Sequence, residues 1–358
     1  MKNDTVYARQ IAFIGAFLLP ATKFLEAPAL LAKDGAGDLL LPALLHFLLQ
    51  AGVLFALVYA CSCSEKSLFE RLNEWLGKGV WAVYALFAVY YLFAGILPLL
   101  DLEKFVYALF YDTSPTTFSF AVFFVFSAYF CTRGLTTLGR VGDICLFLFA
   151  LPFTALLCMS VGEADFSRLL PLAGEEFGNT MSAFKHTMPH FSDAVLLLPF
   201  IGNLHYRKGD RRKIMLGYGI GAGLTLLFLA VFFGIFSSLA PREHYAFAKI
   251  AQYFPALAVI GRADLLFVYL LTAVLLFTTC LPLHYCVDFT CRIVGTNRRT
   301  LFSAILNIGA FVFVLFSNKH YNAFYAVISG KLPVVFILVA DILPLFCLFI
   351  PKKEKNHA

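Results

Sequence analysis

Long apolar runs recur along this 358-residue chain, and they constrain its fold more than any other feature. A run of about 18 residues or more can cross the hydrocarbon core of a bilayer as a helix, since that core is roughly 30 Å thick. Charged residues make up 14% of the chain, against about a quarter in ordinary soluble domains. Because a soluble protein of this size could not bury so much apolar surface, the sequence predicts an all-α polytopic membrane protein.

The apolar runs and the polar segments between them predict about ten membrane-spanning helices in a single transmembrane domain, residues 1–358. Ten spans divide into five plus five, and repeats with an odd number of spans are inverted relative to each other in the membrane. We therefore expect a first repeat at about 10–161 and a second at about 178–350. The predicted spans are 10–31, 39–61, 79–100, 117–132, 138–161, 178–206, 213–239, 257–287, 299–317 and 322–350.

The basic residues predict how the chain is oriented. Most of the 28 Lys and Arg residues fall in short segments that share one side of a ten-span topology, while the loop at 162–188 carries four acidic residues. Cytoplasmic loops are enriched in Lys and Arg, so we expect both termini to be cytoplasmic. Short helices outside the spans are expected at 64–79, where leucines recur every four residues, and at 241–255.

Two spans carry interruptions at corresponding places in the two halves. In the first span the sequence "PATK" (20–23) predicts a break, and in the sixth "PHFSD" (189–193) does, with "PFIGN" (199–203) as a second possibility. Unwound backbone in a membrane is tolerated only where protein, water or a ligand satisfies its polar groups. Paired breaks near the membrane midplane therefore predict a solute site between the halves. The alternative is that proline only kinks both helices.

Ionisable residues coincide with these breaks. Lys23 could pair with Glu26, three residues away, or with Asp193 at the other break. Intramembrane charges usually face the interior of a bundle or a water-filled cavity, although Lys23 could instead extend to the membrane surface. Arg262 and Asp264 could line an outer vestibule or anchor the eighth span at the interface. The predicted substrate-binding residues are Ala21, Thr22, Lys23, Glu26, Tyr90, Phe191, Ser192, Asp193, Arg262 and Asp264.

Motifs of catalysis, cofactor binding or metal binding are lacking in the sequence, so we expect a protein that is not an enzyme and has no cofactor. The histidines of "HTMPH" (186–190) are four residues apart, but Pro189 disrupts the helix that metal spacing requires. The nine cysteines lack the spacing of a zinc site or a disulfide framework. The segment "GYGIGAG" (217–223) lies within a span, where its small residues are expected to permit close helix packing.

Four segments together resemble the spore-germination permeases, the B subunits of nutrient-germinant receptors (GerAB-like). Gly134, Gly139 and Arg140 match the family's Gly and Gly-Arg pattern ahead of the fifth span, and Pro28 and Asp38 match its first span. The resemblance rests on the order and spacing of loose motifs over nearly the whole chain. The four segments are "LLPATKFLEAPALLAKDGAGDLLLPALL" (18–45), "CTRGLTTLGRVGDICLFLFALPF" (131–153), "FSDAVLLLPFIGNLHYRKGDRRK" (191–213) and "GRADLLFVYLL" (261–271).

The resemblance implies the amino acid–polyamine–organocation transporter superfamily and its LeuT-like five-plus-five inverted repeat with broken first and sixth helices. It also implies the inner membrane of a spore, a larger multi-span A subunit and a lipoprotein C subunit as partners, and a small germinant such as an amino acid as ligand. Lys23 departs from the small residues usual at the family's first break, where it would project into the pocket or fill it. This departure could mean an anionic ligand in place of one with an ammonium group, or a lysine tether that closes the site when it is empty.

Three functions are compatible with these expectations. The first is a germinant-sensing receptor subunit that binds a small solute in a transporter-like pocket. The second is a secondary transporter that moves an amino acid or related solute together with a proton or Na⁺. The third is a channel or structural subunit without a ligand of its own.

Overall fold

The computed structural model describes residues 6–35, 38–64, 66–110, 121–170, 177–253, 264–319 and 337–349, and these residues are almost entirely helical. Turns and short loops join the helices, and an isolated parallel bridge between Val6 and Leu204 is the β-type pairing within the described ranges. The helices are α1 (Ala8–Ala21), α2 (Ala27–Asp34), α3 (Leu40–Ser62), α4 (Leu68–Leu76), α5 (Val80–Phe110), α6 (Ala121–Cys131), α7 (Leu135–Val161), α8 (Phe177–Thr187), α9 (Asp193–Gly202), α10 (Asp210–Phe236), α11 (Ala246–Tyr253), α12 (Asp264–Val294) and α13 (Arg299–Lys319).

The chain is an all-α polytopic membrane protein, as its composition predicts. Six stretches of the described residues are long and apolar enough to cross a membrane, and α1 and α6 are shorter apolar helices. The six stretches are Leu40–Ser62, Leu68–Val106, Leu135–Val161, Asp210–Arg242, Asp264–Val294 and Arg299–Ser317. Each of the ten predicted spans contains a described helical segment, while the relation between the two halves as inverted repeats stays a prediction.

Both predicted helix breaks are present. The first span separates into α1 and α2 at residues 22–26, slightly beyond the predicted 20–23, because Pro20 is accommodated inside the end of α1. The sixth span separates into α8 and α9, which are joined by a 3₁₀ turn at Met188–His190 and by two residues outside any helix. The second possibility, 199–203, is not a break, since α9 continues through Pro199 to Gly202.

Other boundaries differ from the sequence prediction in length. Helix α5 extends to Phe110, ten residues past the predicted end of the third span, and α12 extends to Val294, seven residues past the predicted end of the eighth. The predicted start of the eighth span, 257–263, lies outside the described residues. The short helices outside the spans are present as α4 and α11. Helices α5 and α12 pack against each other along much of their length.

Two segments contain π-helical turns, in which the backbone hydrogen bond spans one residue more than in an α-helix. One turn is Ile14–Leu18, within α1 and ahead of the first break. The other is Ile337–Ile342, in the described part of the last span, and it is followed by Leu343–Leu345. Each π-turn thus lies close to or includes a buried ionisable residue, Lys23 or Asp341.

The small residues of α10 bring it into close contact with α1, as "GYGIGAG" predicts. A Cβ atom added at Gly217 would lie 2.4 Å from the carbonyl oxygen of Ala12, and one added at Gly221 would lie 2.2 Å from that of Gly15. Both distances are shorter than any real Cβ contact, so glycine is required on this face. Gly219 and Gly223 have nothing within 4 Å of an added Cβ, and they mark the opposite face of the helix.

Candidate functional site

The first break is held in place by backbone hydrogen bonds from a distant part of the chain. The first turn of α11 donates to it, from Ala246 N to Leu25 O at 3.1 Å and from Phe247 N to Phe24 O at 3.1 Å. Unpaired carbonyls in hydrocarbon cost several kcal/mol each, roughly, so these bonds explain how the chain can unwind here. The unwound conformation of the first break is therefore stabilised by specific tertiary hydrogen bonds.

Side chains from this break point in different directions. Phe24 is fully buried among aromatic rings, with its ring centroid 4.2 Å from that of Phe228 and 4.8 Å from that of Phe153. Thr22, Leu25 and Glu26 line a cavity. Lys23 turns toward the sixth span. Because the backbone is not helical here, neighbouring residues need not follow the 100° spacing that would otherwise separate them.

Lys23 and Asp193 form a buried ion pair that joins the two breaks. Lys23 Nζ lies 2.6 Å from Asp193 Oδ1 and also donates to Leu19 O at 3.2 Å. The two side chains are 1% and 2% exposed, and the hydroxyl of Tyr218 donates to Asp193 Oδ2 at 3.3 Å. Of the two partners that the sequence offered, the structure selects Asp193. The lysine ammonium is also 5.4 Å from the ring centroid of Phe191.

The second break is packed against α3. The ring of His46 is sandwiched between Phe184 and Phe191, with centroid distances of 4.1 Å and 4.4 Å and near-parallel planes. Its Nε2 lies 3.0 Å from the hydroxyl of Thr187, which donates its own hydrogen to Ala183 O. Nε2 must therefore donate, and the imidazole carries its proton there. The stack fixes Phe191 and so the residue that follows it, Ser192.

Gln50 connects the start of α9 to the last span. Its Oε1 accepts from Ala194 N at 3.0 Å, and its Nε2 donates to Asp341 Oδ1 at 2.6 Å. Tyr91 adds a contact to the same turn by donating to Val195 O at 2.6 Å. The first turn of α9 is thus fixed by side chains from α3 and α5.

A cavity of about 90 Å³ lies between the two breaks. Segments of α1, α5, α9 and α12, together with the residues of both breaks, form its walls. Most of the lining is apolar, with a small number of polar side chains. The polar and ionisable lining residues are Thr22, Glu26, Asp101, His190, Ser192, Thr278 and Thr279.

The hydroxyl groups that line the cavity already donate their hydrogens to the backbone. Thr22 donates to Leu19 O at 2.6 Å, Thr278 to Leu275 O at 2.8 Å and Thr279 to Leu276 O at 2.9 Å. Each hydroxyl has one hydrogen, so these groups offer a ligand acceptor lone pairs alone. With the carboxyl groups of Glu26 and Asp101, the cavity is rich in acceptors. This chemistry suits a ligand group with several N–H donors.

A wider, open vestibule of about 540 Å³ adjoins the cavity, and Glu26 lines both spaces. The vestibule is bounded by α2, the end of α5 and the segment ahead of α11. Its lining is predominantly basic, which makes it attractive to anionic groups. The charged and titratable side chains of the lining are Glu26, Lys33, Lys104, Arg242 and His244.

The ten sequence-predicted site residues fall into three groups. Thr22, Glu26 and Ser192 line the cavity. Arg262 lies outside the described residues. The remaining six are described, and none of them is in the cavity lining; these are Ala21, Lys23, Tyr90, Phe191, Asp193 and Asp264. Lys23 and Asp193 bind each other, and Ala21, Tyr90 and Phe191 are buried around them.

Sequence reasoning missed several residues that shape the site. Thr278, Thr279 and His190 line the cavity, and Gln50 and Tyr218 hold the ionisable residues behind it. Gln50 carried a usable signal, because His46 lies four residues earlier and would share its helix face. Adjacent threonines in an apolar span carry almost none, since they are common wherever helices pack closely.

Comparison with known proteins agrees with the fold. The family described as "Spore germination protein" has a model that matches residues 8–322 of this chain. No curated protein sequence matches it.

Solved transporter structures share the architecture at low sequence identity. The structure of MhsT in complex with L-phenylalanine is 13% identical, with 97% of this chain and 88% of that protein covered and a TM-score of 0.67. The manganese transporter of Eremococcus coleocola, in complex with an aromatic bis-isothiourea substituted compound, is 13% identical, with coverage of 95% and 76% and a TM-score of 0.55. At these identities the likeness establishes the fold, that of LeuT-type transporters.

Proposed function

Because the chain belongs to the spore germination protein family, whose model covers residues 8–322, we propose that it is the membrane-embedded germinant-sensing subunit of a spore nutrient receptor. In this proposal a small amino acid binds in the cavity between the two breaks, and its binding is passed on as the germination signal. The chain would lie in the inner membrane of the spore with both termini cytoplasmic, in a complex with a membrane A subunit and a lipoprotein C subunit.

The observation that carries the proposal is the acceptor-rich cavity at the meeting point of both breaks. Its hydroxyl hydrogens are committed to the backbone, and Glu26 and Asp101 supply carboxyl groups. A substrate ammonium group provides three N–H donors and a positive charge, which complements this lining. Lys23 does not compete with it, because its ammonium group faces Asp193 behind the cavity wall.

The size of the cavity supports a small amino acid over an aromatic one. The cavity is small, at about 90 Å³, and compact amino acids such as alanine, valine and leucine are the ligands that we propose for it. The basic vestibule beside Glu26 supports a zwitterion over a simple amine, because a carboxylate could face Lys33 and Arg242 while the ammonium group faces the cavity.

A metal ion has less support than an amino acid as the solute bound in this cavity. One of the structural neighbours is a manganese transporter, but within the described ranges no group of three or more His, Cys, Asp or Glu side chains is arranged to hold a metal ion. Divalent metals of that class prefer several carboxylate or carbonyl oxygens around one point.

Three matched probes test the ligand chemistry on purified protein in detergent. L-leucine carries both charged groups, isoamylamine lacks the carboxylate, and 4-methylpentanoate lacks the ammonium group. Equilibrium binding should rank leucine first, isoamylamine second and 4-methylpentanoate last, and L-leucine should bind more tightly than L-phenylalanine. Equal binding of leucine and 4-methylpentanoate would contradict an acceptor-rich site.

A second candidate function is a proton- or sodium-coupled secondary transporter of amino acids, which the transporter fold favours equally. The two are separated by flux. Proteoliposomes that contain this chain alone should bind radiolabelled L-leucine without accumulating it if the chain is a sensor. Accumulation driven by a pH or sodium gradient would establish the transporter instead, with the same cavity as its substrate site.

A further inference from the structure

Asp341 is a buried carboxyl group that has no counter-charge among the described residues. It lies in the π-helical segment of the last span and is 5% exposed. Its hydrogen-bond partner is the amide of Gln50, itself 1% exposed, and no ion-pair partner for Asp341 occurs among the described residues. A carboxylate buried in this way, without a cation, is far less stable than a neutral carboxylic acid.

The nearby Lys23 ammonium does not balance this charge. It is bound to Asp193 at 2.6 Å, and that pair is complete with Tyr218 on the second carboxylate oxygen. Among the described residues, two buried carboxyl groups are thus present with one ammonium group. A second negative charge in the centre of the bundle would carry a large solvation cost, which a single proton removes.

The hydrogen bonds also determine which oxygen can carry that proton. A backbone N–H can donate but cannot accept, so the amide oxygen of Gln50 must face Ala194 N. The amide NH₂ therefore faces Asp341, and Oδ1 is the acceptor of its hydrogen bond. Oδ2 is the oxygen left to form an O–H bond.

We propose that Asp341 is a proton-binding site of this protein, protonated on Oδ2 in the conformation described here, and that its proton is linked to the solute cavity through Gln50 and α9. Proton uptake converts the carboxylate to a carboxylic acid, with no other bond made or broken. The link follows from the contacts, because Gln50 holds both Asp341 and Ala194, two residues after the cavity-lining Ser192.

The titratable and charged groups around Asp341 determine what loss of its proton would do to the site. The phenols of Tyr90 and Tyr218 are near enough to interact with the charges of both Asp341 and Asp193. Loss of the proton would leave Asp341 as a buried carboxylate with the Gln50 amide as its hydrogen-bond partner, and would disturb the contact that Gln50 makes with the start of α9. Among the described residues, the groups that face this region are Gln50 and His46 from α3, Tyr90 from α5, His190 from the second break, Asp193 from α9, Tyr218 from α10 and Lys23 from the first break.

Infrared spectroscopy of the purified full-length chain tests the protonation directly and needs no ligand. The carbonyl stretch of a carboxylic acid is separate from that of a carboxylate. The wild-type protein at neutral pH should show an acid band that shifts in D₂O and is missing in Asp341→Asn. The Asn side chain keeps the shape of Asp and an oxygen that accepts from Gln50. A second variant, Asp341→Glu, keeps a carboxyl group and should retain an acid band at a shifted position. It serves as the check if Asp341→Asn fails to fold.

Asp165→Asn is the matched control. Asp165 lies outside the membrane spans, and hydrogen bonds from Ser167 lower the pKa of its carboxyl group, so it contributes no acid band at neutral pH. Its variant should leave the spectrum unchanged. A difference spectrum of wild type minus Asp341→Asn that lacks an acid band would overturn the proposal.

The link to the cavity rests on the proposed function and has its own readout. Affinity for L-leucine should fall as the pH rises, by up to about tenfold per pH unit once Asp341 ionises, since one proton is linked to binding. In Asp341→Asn the affinity should be independent of pH over that range. An unchanged pH profile in this variant would refute the link. Failure of leucine to bind at all, with the acid band present, would refute the proposed ligand and leave the proton site standing.

Discussion

Lys23 and Glu26 lie three residues apart in one irregular turn, yet they occupy opposite environments. Lys23 is 1% exposed and paired with Asp193, whereas Glu26 lies at the junction of the cavity and the vestibule. Sequence alone suggests one role for both, since charges in a membrane helix usually indicate a functional site. The structure separates them into a charge that holds the two breaks together and an acidic side chain that lines the cavity and the vestibule.

The difference shows that an intramembrane charge has to be judged by its partners. Removing one member of a buried ion pair leaves the other uncompensated, which costs far more than the pair itself contributes. Removing a charge that faces a cavity leaves water in its place. Stability should therefore respond to Lys23, and ligand affinity to Glu26.

The largest expected effect is that of Lys23→Met. The substitution leaves Asp193 buried without its cation and should lower the free energy of unfolding by about 3–5 kcal/mol. Thermal unfolding in detergent measures the loss. Asp193→Leu in the same chain should restore most of it, because both charges are then absent. A stable single variant with altered ligand selectivity would instead place Lys23 in the site.

The second prediction concerns the close packing of α1 against α10, which holds the helix ahead of the first break in place. Gly221→Ala places a methyl group against the backbone of Gly15 and should cost about 1–3 kcal/mol, and Gly217→Ala should do the same at Ala12. Gly219→Ala and Gly223→Ala, on the open face, should be neutral or stabilising by up to about 1 kcal/mol. Similar melting temperatures for all four variants would mean that the close approach is absent.

Glu26→Gln should act on binding and leave folding alone. Loss of a charged hydrogen bond to a ligand ammonium group is worth about 1.5–3 kcal/mol, or roughly tenfold to a hundredfold in affinity. Isothermal titration with L-leucine measures the change, and the melting temperature without ligand serves as the control. A variant that unfolds early and binds normally would reverse the roles assigned to Lys23 and Glu26.

The smallest effect is expected in the vestibule. Arg242→Gln and Lys33→Gln should slow association of L-leucine by about two- to fourfold at low ionic strength, since a zwitterion is attracted only weakly, and the difference should vanish at high salt. Lys249→Gln is the matched control, because Lys249 lies on α11 beside the vestibule lining and is paired with Glu243. A loss in all three variants would indicate a general charge effect.

Much of the architecture could be predicted because the membrane restricts the choices. Apolar runs specify helices, and proline next to charge marks the two places where they unwind. The pairing of Lys23 with Asp193 was one of two options, since sequence spacing could not decide between a local partner and one 170 residues away. The wall of the cavity was harder to find, because Thr278 and Thr279 differ from packing residues only through the direction in which they face.

The vestibule and the role of Gln50 depend on three-dimensional contacts that no local pattern encodes. Gln50 lies in an apolar helix and forms hydrogen bonds with Ala194 and Asp341, which follow it in the chain by 144 and 291 residues. The basic residues of the vestibule are spread over three segments and converge only in the fold. Interactions between distant, uncharged or scattered residues leave little trace in one sequence.

The π-turn at Ile14–Leu18 has a consequence for the angular phase of the first span. A π-turn holds one residue more than an α-helical path of the same pitch, so everything after it is rotated by about 100° relative to an unbroken α-helix. A helical wheel drawn through "IGAFLLPATK" would thus assign Thr22 and Lys23 to the wrong sides of the helix. Deleting one residue within the turn would remove this rotation, so different side chains of the first span would face the cavity and α10, although the composition would hardly change.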